Sequence, residues 1–321
     1  MQNMSKFKLN LATAVLQGIL FSFTAFAQDT KLNTEQIGRK WLNITYANIS
    51  QAQKLDIYLP EKGGGPFPVI FSIHGGAFKA GDKGDGQLKP MLEGLNRGYA
   101  VVSVNYRLSP EAVFPAQIVD VKAALRWIRA NAKQYKLDPD KIAAWGGSAG
   151  GHLSALLGTS GGVVVLEDLT MGNPEKSSRV SAVVDWFGPT DFLKMDGQLQ
   201  ESKVKNPQVH SIPDSPESEL IGKNLQDAPE LVRKANPETY ITPDDPPFFI
   251  QHGLTDQLVP YQQSANLAEK LEKILGKENV SLKLFPETGH GGPAFFTEAN
   301  INDVFNFLDT HLKNSNVHVK K

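Results

Sequence analysis

A chain of 321 residues with 40% hydrophobic and 21% charged residues has the length and composition of a globular protein with a substantial core, in one large domain or two smaller ones. A formal net charge of -1 leaves no excess of Lys or Arg to neutralise a row of phosphates, which argues against nucleic acid as a partner. With no cysteine, disulfides, thiolate metal sites and a cysteine nucleophile are excluded together.

The first residues read as a targeting segment. Lys6 and Lys8 precede a largely apolar run over residues 9–24, and Ala25 and Ala27 put small residues where a signal peptidase reads. Cleavage after Ala27 is expected, which removes residues 1–27 and leaves an exported single domain over 28–321. Asn10, Thr13 and Gln17 interrupt the apolar run and argue against stable membrane insertion.

Residues 41–47 and 54–59 alternate apolar and polar positions, the pattern of a half-exposed antiparallel pair at a sheet edge. Pro68-Val69-Ile70-Phe71-Ser72-Ile73 is nearly continuous in apolar residues, as a strand buried on both faces is. It empties into His74-Gly75-Gly76-Ala77-Phe78, where two glycines let backbone N–H groups face a site unobstructed. The turn resembles the HGGG-type motif of esterases, which would make Gly75 and Gly76 candidate oxyanion donors, with the N–H of Ala149 as a third. Gly81-Asp82-Lys83-Gly84-Asp85-Gly86 lacks the alternating ligands and closing Glu of an EF-hand, so it reads as a mobile surface loop at the site mouth. Leu88, Met91, Leu92 and Leu95 are spaced for a helix that Gly98 ends. Residues 99–106 form another buried strand, and Val121, Ala124, Leu125, Ile128 and Ala132 stripe one face of a long helix over 116–135.

Residues 141–153 combine a short apolar strand, the run Gly146-x-Ser148-x-Gly150 and the start of a small-residue helix. This is the pattern of a nucleophile elbow, a strained strand-to-helix turn that lifts a serine hydroxyl above a sheet. The helix N-terminus at Ser148 also directs free N–H groups at an anion forming there. Beyond it, residues 180–188 are a strand, while 189–245 lose periodicity around Pro207, Pro213, Pro216, Pro229 and Pro237. That stretch is expected to be a small cap insertion over the site's edge. Residues 247–253 and 280–285 are further strands. The exit loop of the first carries Asp256, and that of the second carries His290. Helices are expected over 261–275 and 300–312. Strands alternating with helices predict the α/β class, a mostly parallel sheet with helices on both faces.

In such a sheet, groups placed just after strand C-termini collect at one edge. Ser148, Asp256 and His290 all hold that position, in the chain order serine, acid, histidine of the α/β-hydrolase fold. A serine hydroxyl is a weak nucleophile, so it needs His290 as base, and His290 needs Asp256 to fix its tautomer. Glu287 and Asp191 are reserve acids. His74, His152, His210, His252, His311 and His318 suit packing, the insertion or the tail better than the role of base.

Taken together, His74-Gly75-Gly76-Ala77-Phe78, Phe114-Pro115-Ala116, Gly147-Ser148-Ala149-Gly150-Gly151-His152-Leu153, Asp185 to Asp191 and His252-Gly253 to Pro260 resemble the α/β-hydrolase esterases of the hormone-sensitive-lipase-like group. Within that group the chain is most similar to the branch of bifunctional feruloyl and acetyl-xylan esterases, BD-FAE, from about residue 41 to 312. The resemblance implies carboxylic ester hydrolysis without cofactor or metal. Its expected substrates are small-molecule or oligosaccharide esters, namely acetyl or feruloyl groups on plant polysaccharide fragments. Ala77 stands where many relatives carry a third glycine, which argues against bulky tertiary-alcohol esters. Two other readings stay open. One is a serine exopeptidase of the same fold, although the chain has no room for an N-terminal propeller. The other is a non-catalytic binding module on a hydrolase fold, against which the intact triad argues.

Overall fold

The computed structural model describes residues 31–313; the expected targeting segment lies outside them. Eight strands, β1 (Lys40–Thr45), β2 (Lys54–Tyr58), β3 (Phe67–Ile73), β4 (Ala100–Val104), β5 (Leu137–Gly147), β6 (Ala182–Trp186), β7 (Phe248–Gly253) and β8 (Val280–Phe285), form one sheet. Their spatial order is β1-β2-β4-β3-β5-β6-β7-β8. β1 and β2 pair antiparallel as expected, but β2 is not half-exposed: it also joins β4 antiparallel, and Leu55–Tyr58 are buried because the sheet continues on both sides of the strand. All later pairings are parallel. The fold is that of an α/β-hydrolase.

Register is what positions the site. Ile73 stands opposite both Val104 and Gly146, Gly146 opposite Asp185, and Trp186 opposite Gln251. The carboxyl ends of β3, β5, β6 and β7 therefore finish level, and their exit loops share one edge. Side chains alternate across the pleat. Val69, Phe71 and Ile73 meet Val121, Leu125 and Ile128 of α2 (Ala116–Tyr135) and Leu153, Leu156 and Leu157 of α3 (Ala149–Thr159). Ile70, Trp145 and Val184 face the other way, onto Ile301, Val304 and Phe305 of a C-terminal helix, Glu298–Leu308. Helices thus cover both faces.

One loop also departs from expectation. The loop over residues 81–86 is pinned. The buried Lys83 ammonium lies 3.2 Å from Asp56 Oδ2 and donates to Asn43 Oδ1 at 2.9 Å, while its carbonyl accepts the Ser103 hydroxyl. Glycine-rich composition suggested mobility because the partners, Asp56 and Asn43, lie on strands far away in sequence. The stretch 189–245, poor in periodicity, folds into the short helices Met195–Ser202, Pro216–Ile221 and Pro229–Ala235. Phe192, Met195, Leu220, Leu225 and Val232 from it join the same core layer as α2 and α3.

His210 ties this insertion to the sheet edge. Its Nδ1–H donates to Glu217 Oε2 at 2.7 Å and its Nε2–H to the Leu258 carbonyl at 2.8 Å, so the ring carries both protons. Burial disfavours that charge, but the Glu217 carboxylate and the Leu258 carbonyl outweigh it and hold the imidazole pKa above its ordinary value. A raised folded-state pKa contributes stability that is complete below about pH 6.5 and is lost as pH rises through the folded value. His210→Leu is expected to cost about 3 kcal/mol at pH 6 by stranding Glu217, and less at pH 9. Urea unfolding at the two pH values measures both.

Candidate active site

The elbow is built by steric exclusion. Ser148 joins β5 to α3 with φ 58° and ψ -123°, a backbone state that costs a non-glycine residue of order 1–3 kcal/mol. Its N–H is held by the Trp186 carbonyl at 2.9 Å. A methyl carbon on Gly146 would lie 2.3 Å from the Gly150 carbonyl oxygen, and one on Gly150 would lie 2.1 Å from the Ile73 carbonyl oxygen. No side chain fits at either position, so β3, β5 and α3 cross closely enough to raise Ser148 above the sheet.

The three residues expected from the sequence meet. Asp256 Oδ2 accepts the His290 Nδ1–H at 2.7 Å, and His290 Nε2 lies 2.9 Å from Ser148 Oγ. With its Nδ1 proton held by the carboxylate, the neutral imidazole presents a bare Nε2 to accept the serine hydroxyl. The Phe187 ring packs edge-on to His290, centroids 4.7 Å apart. Neither reserve acid competes: Asp191 pairs with Lys194 at 2.7 Å and with Asn236, and Glu287 is solvent-exposed.

Asp256 is 1% exposed and still ionised. Its Oδ1 accepts the N–H groups of Leu258 and Val259 at 2.8 and 2.9 Å, so it caps its own loop while serving His290. His252 is a second imidazole on the same carboxylate. Its Nε2 lies 3.2 Å from Asp256 Oδ2 and 2.9 Å from the Val259 carbonyl, and its Nδ1 accepts the Ser264 hydroxyl at 2.7 Å. Burial pushes the Asp256 pKa up, but electrostatic attraction to the His290 ring and the hydrogen bonds from His252 and His290 more than offset this and hold it well below the usual carboxylate range.

The loop after β3 carries the backbone amides expected to meet an oxyanion, with one correction. The Gly75 N–H donates to Gln87 Oε1 at 2.9 Å, so it is not available to an oxyanion. The peptides that follow are held by their carbonyls. Gly75 O accepts the His74 Nδ1–H at 2.7 Å, and Gly76 O accepts the N–H groups of Lys79 and Ala80 at 3.0 and 2.9 Å. A trans peptide directs N–H opposite to C=O, so the Gly76 and Ala77 N–H groups point away from these anchors. No acceptor among the described residues engages them. Ala149, first residue of α3, presents another N–H that the helix leaves unused. The donor set is thus Gly76, Ala77 and Ala149. Burial lowers the His74 pKa to about 4, which keeps that ring neutral and donating through Nδ1.

The sequence does not single out Gln87, and it shows Ala77 only as a departure from a third glycine, not as a donor, and His252 only as a packing histidine. Ala77 acts through its backbone, so its side chain gave no signal. His252 sits four residues before Asp256, a spacing that was visible but indistinguishable from a packing histidine at a strand end. Among the described residues no group of three or more His, Asp or Glu is gathered to hold a metal, and no helix is long and apolar enough to cross a membrane.

A family model described as BD-FAE matches residues 55–271. The chain is 35% identical over 259 residues to a probable carboxylic ester hydrolase, LipM, of Mycobacterium tuberculosis, which covers 77% of this chain and 55% of that protein. The chain spans about half the length of the curated relatives it matches. Among solved structures, a bifunctional GH43-CE protein of Bacteroides eggerthii is 37% identical with a TM-score of 0.77, covering 85% of this chain and 35% of that one. A truncated form of a carbohydrate esterase from gut microbiota is 34% identical, also with a TM-score of 0.77, covering 88% of this chain and 99% of that one.

Gly150→Ala is expected to destabilise the protein by about 3 kcal/mol or to prevent folding, because the clash is with backbone rather than a movable side chain. Gly197→Ala, where nothing lies within 4 Å, is the matched control and should leave the urea midpoint near that of the unsubstituted protein.

Proposed function

Because the chain belongs to the BD-FAE family, we propose that it is a serine carboxylesterase working through an acyl-enzyme. The observation that carries this reading is the unbroken line of hydrogen bonds from Asp256 through His290 to Ser148. Ser148 Oγ bonds to the ester carbonyl carbon as its proton passes to His290 Nε2. The oxyanion so formed is met by N–H groups of Gly76, Ala77 and Ala149. The tetrahedral centre collapses, the bond to the alcohol oxygen breaks, and His290 returns the proton to that oxygen. Water then adds to the acyl-enzyme by the same route and releases the acid. The charge that develops on the ring is balanced by a carboxylate that is already buried, ionised and held in place.

The substrate in this reading is an acetyl or feruloyl ester borne by a plant polysaccharide fragment. Support comes from two solved relatives, at 37% and 34% identity, titled as a GH43-CE protein and a carbohydrate esterase. Residues 189–245 act as the cap in this proposal. They reach the acid loop through the Gln208 N–H on the Gln257 carbonyl at 2.9 Å, and the oxyanion loop through Glu219 on Lys79 at 2.6 Å. Export completes the proposal, and the mature protein should begin at Gln28 by N-terminal sequencing.

Ser148→Ala is expected to abolish hydrolysis of p-nitrophenyl acetate, and Asp256→Asn to lower kcat by about 10⁴-fold through the wrong imidazole tautomer. An organophosphonate should label the unsubstituted protein and not Ser148→Ala. Undiminished turnover by Ser148→Ala would remove the mechanism. A panel of acetyl to octanoyl and feruloyl esters, alongside matched amides, separates the proposed substrates from a peptidase, which would prefer the amides.

A further inference from the structure

The contact that withdraws the Gly75 N–H from the oxyanion site belongs to a chain of hydrogen bonds that ester hydrolysis does not itself use. Asp85, 4% exposed, caps the single 3-10 turn Gly86–Leu88, and its Oδ1 accepts the Gln87 N–H at 2.9 Å. Its Oδ2 faces the Gln87 side-chain amide, Nε2 at 3.3 Å, and the Asp82 N–H at 3.4 Å. Leu88, 2% exposed, anchors the same turn in the core layer that contains Ile70 and Trp145. With its NH₂ group committed to a buried carboxylate, the Gln87 amide is oriented so that Oε1 meets Gly75.

The chemistry of that corner calls for an amide. Residue 87 must accept a hydrogen bond from Gly75 and donate one to Asp85 at the same time; a carboxylate would set two acids face to face, and an aliphatic chain would do neither. Control is needed there because glycines at 75 and 76 have little intrinsic backbone preference. The His74–Gly75 peptide is gripped at both ends, its carbonyl by the Tyr106 hydroxyl at 2.9 Å and its N–H by Gln87. Gly75 also lies against the nucleophile: a methyl carbon there would be 3.4 Å from Ser148 Cβ.

We infer that Gln87, oriented by Asp85, is a positioning residue for the oxyanion loop, fixing the peptide from which those bearing the Gly76 and Ala77 N–H groups take their direction. The inference rests on the esterase reading of the site. Gln87 acts through the backbone and need not touch substrate, so its contribution appears where negative charge forms, in the transition state and not in ground-state binding.

Gln87→Leu tests this, with Gln87→Met as a second variant should the first not fold. The kcat for p-nitrophenyl acetate is expected to fall about 10- to 100-fold, at or below the loss from deleting an oxyanion donor outright. KM should stay within about twofold, the signature of an interaction made only in the transition state. Hydrogen–deuterium exchange at residues 75–78 should quicken. The swapped pair D85N/Q87E restores an acceptor for Gly75 and a donor from position 85, and should recover most of the lost kcat. An unchanged kcat, a KM rising in step with the loss, or no recovery in the swapped pair would each overturn the inference. If the unsubstituted protein showed no Ser148-dependent turnover, the esterase reading would fall, and unchanged exchange at 75–78 in Gln87→Leu would separately dispose of the brace.

Discussion

The Asp256 carboxylate, taken out of water and kept ionised, is the constraint on which the rest of the site depends. An uncompensated buried anion would neutralise or unfold its surroundings. Four donors prevent that: two backbone N–H groups of its own loop and two imidazoles. Only one of those imidazoles reaches Ser148. The other, His252, is anchored by Ser264 on the helix that follows and by the Val259 carbonyl, so the acid is aimed from behind by the body of the fold. The direction of His290, and with it the placement of its Nε2 against the Ser148 hydroxyl, follows from where that anion can be satisfied.

The opposing constraint is strain. Ser148 is held at φ 58° by contacts that leave it no alternative: the Trp186 carbonyl on its N–H, and backbone carbonyls packed where side chains of residues 146 and 150 would stand. The level register of β3, β5, β6 and β7 then makes one edge out of loops separated by more than a hundred residues. The insertion over 189–245 does not sit apart from this scaffold. It buries its apolar residues in the layer beneath α2 and α3, and polar contacts tie it to the loops bearing Asp256 and Gly76.

Much of this architecture was legible in the sequence because its signals are local. The apolar runs of β3 and β4 and the glycine spacing around Ser148 each reflect a steric or burial rule acting over a few neighbours. The order of Ser148, Asp256 and His290 was legible because topology carries strand ends to one edge. What escaped notice depended on distant partners. The loop at 81–86 looked mobile because nothing near it in sequence announces Asp56, Asn43 or Ser103 as its anchors. Gly75 looked like a donor because Gln87, twelve residues on, gives no sign of turning back to it. The helices at 195–202, 216–221 and 229–235 are too short for periodicity to reveal them.

In the proposed mechanism the receptor for negative charge is made of main-chain amides at Gly76, Ala77 and Ala149. Peptide N–H groups neither ionise across ordinary acidity nor react with oxidants, so the medium has no direct handle on that part of the machinery. Inheritable variation meets the same barrier: a codon change replaces a side chain but keeps the amide, unless it substitutes proline. Loss of the receptor must therefore come indirectly, through whatever turns the peptides: a side chain at Gly76, whose methyl carbon would lie 2.2 Å from the Ala80 carbonyl oxygen, or a change at neighbours such as Tyr106 and His74.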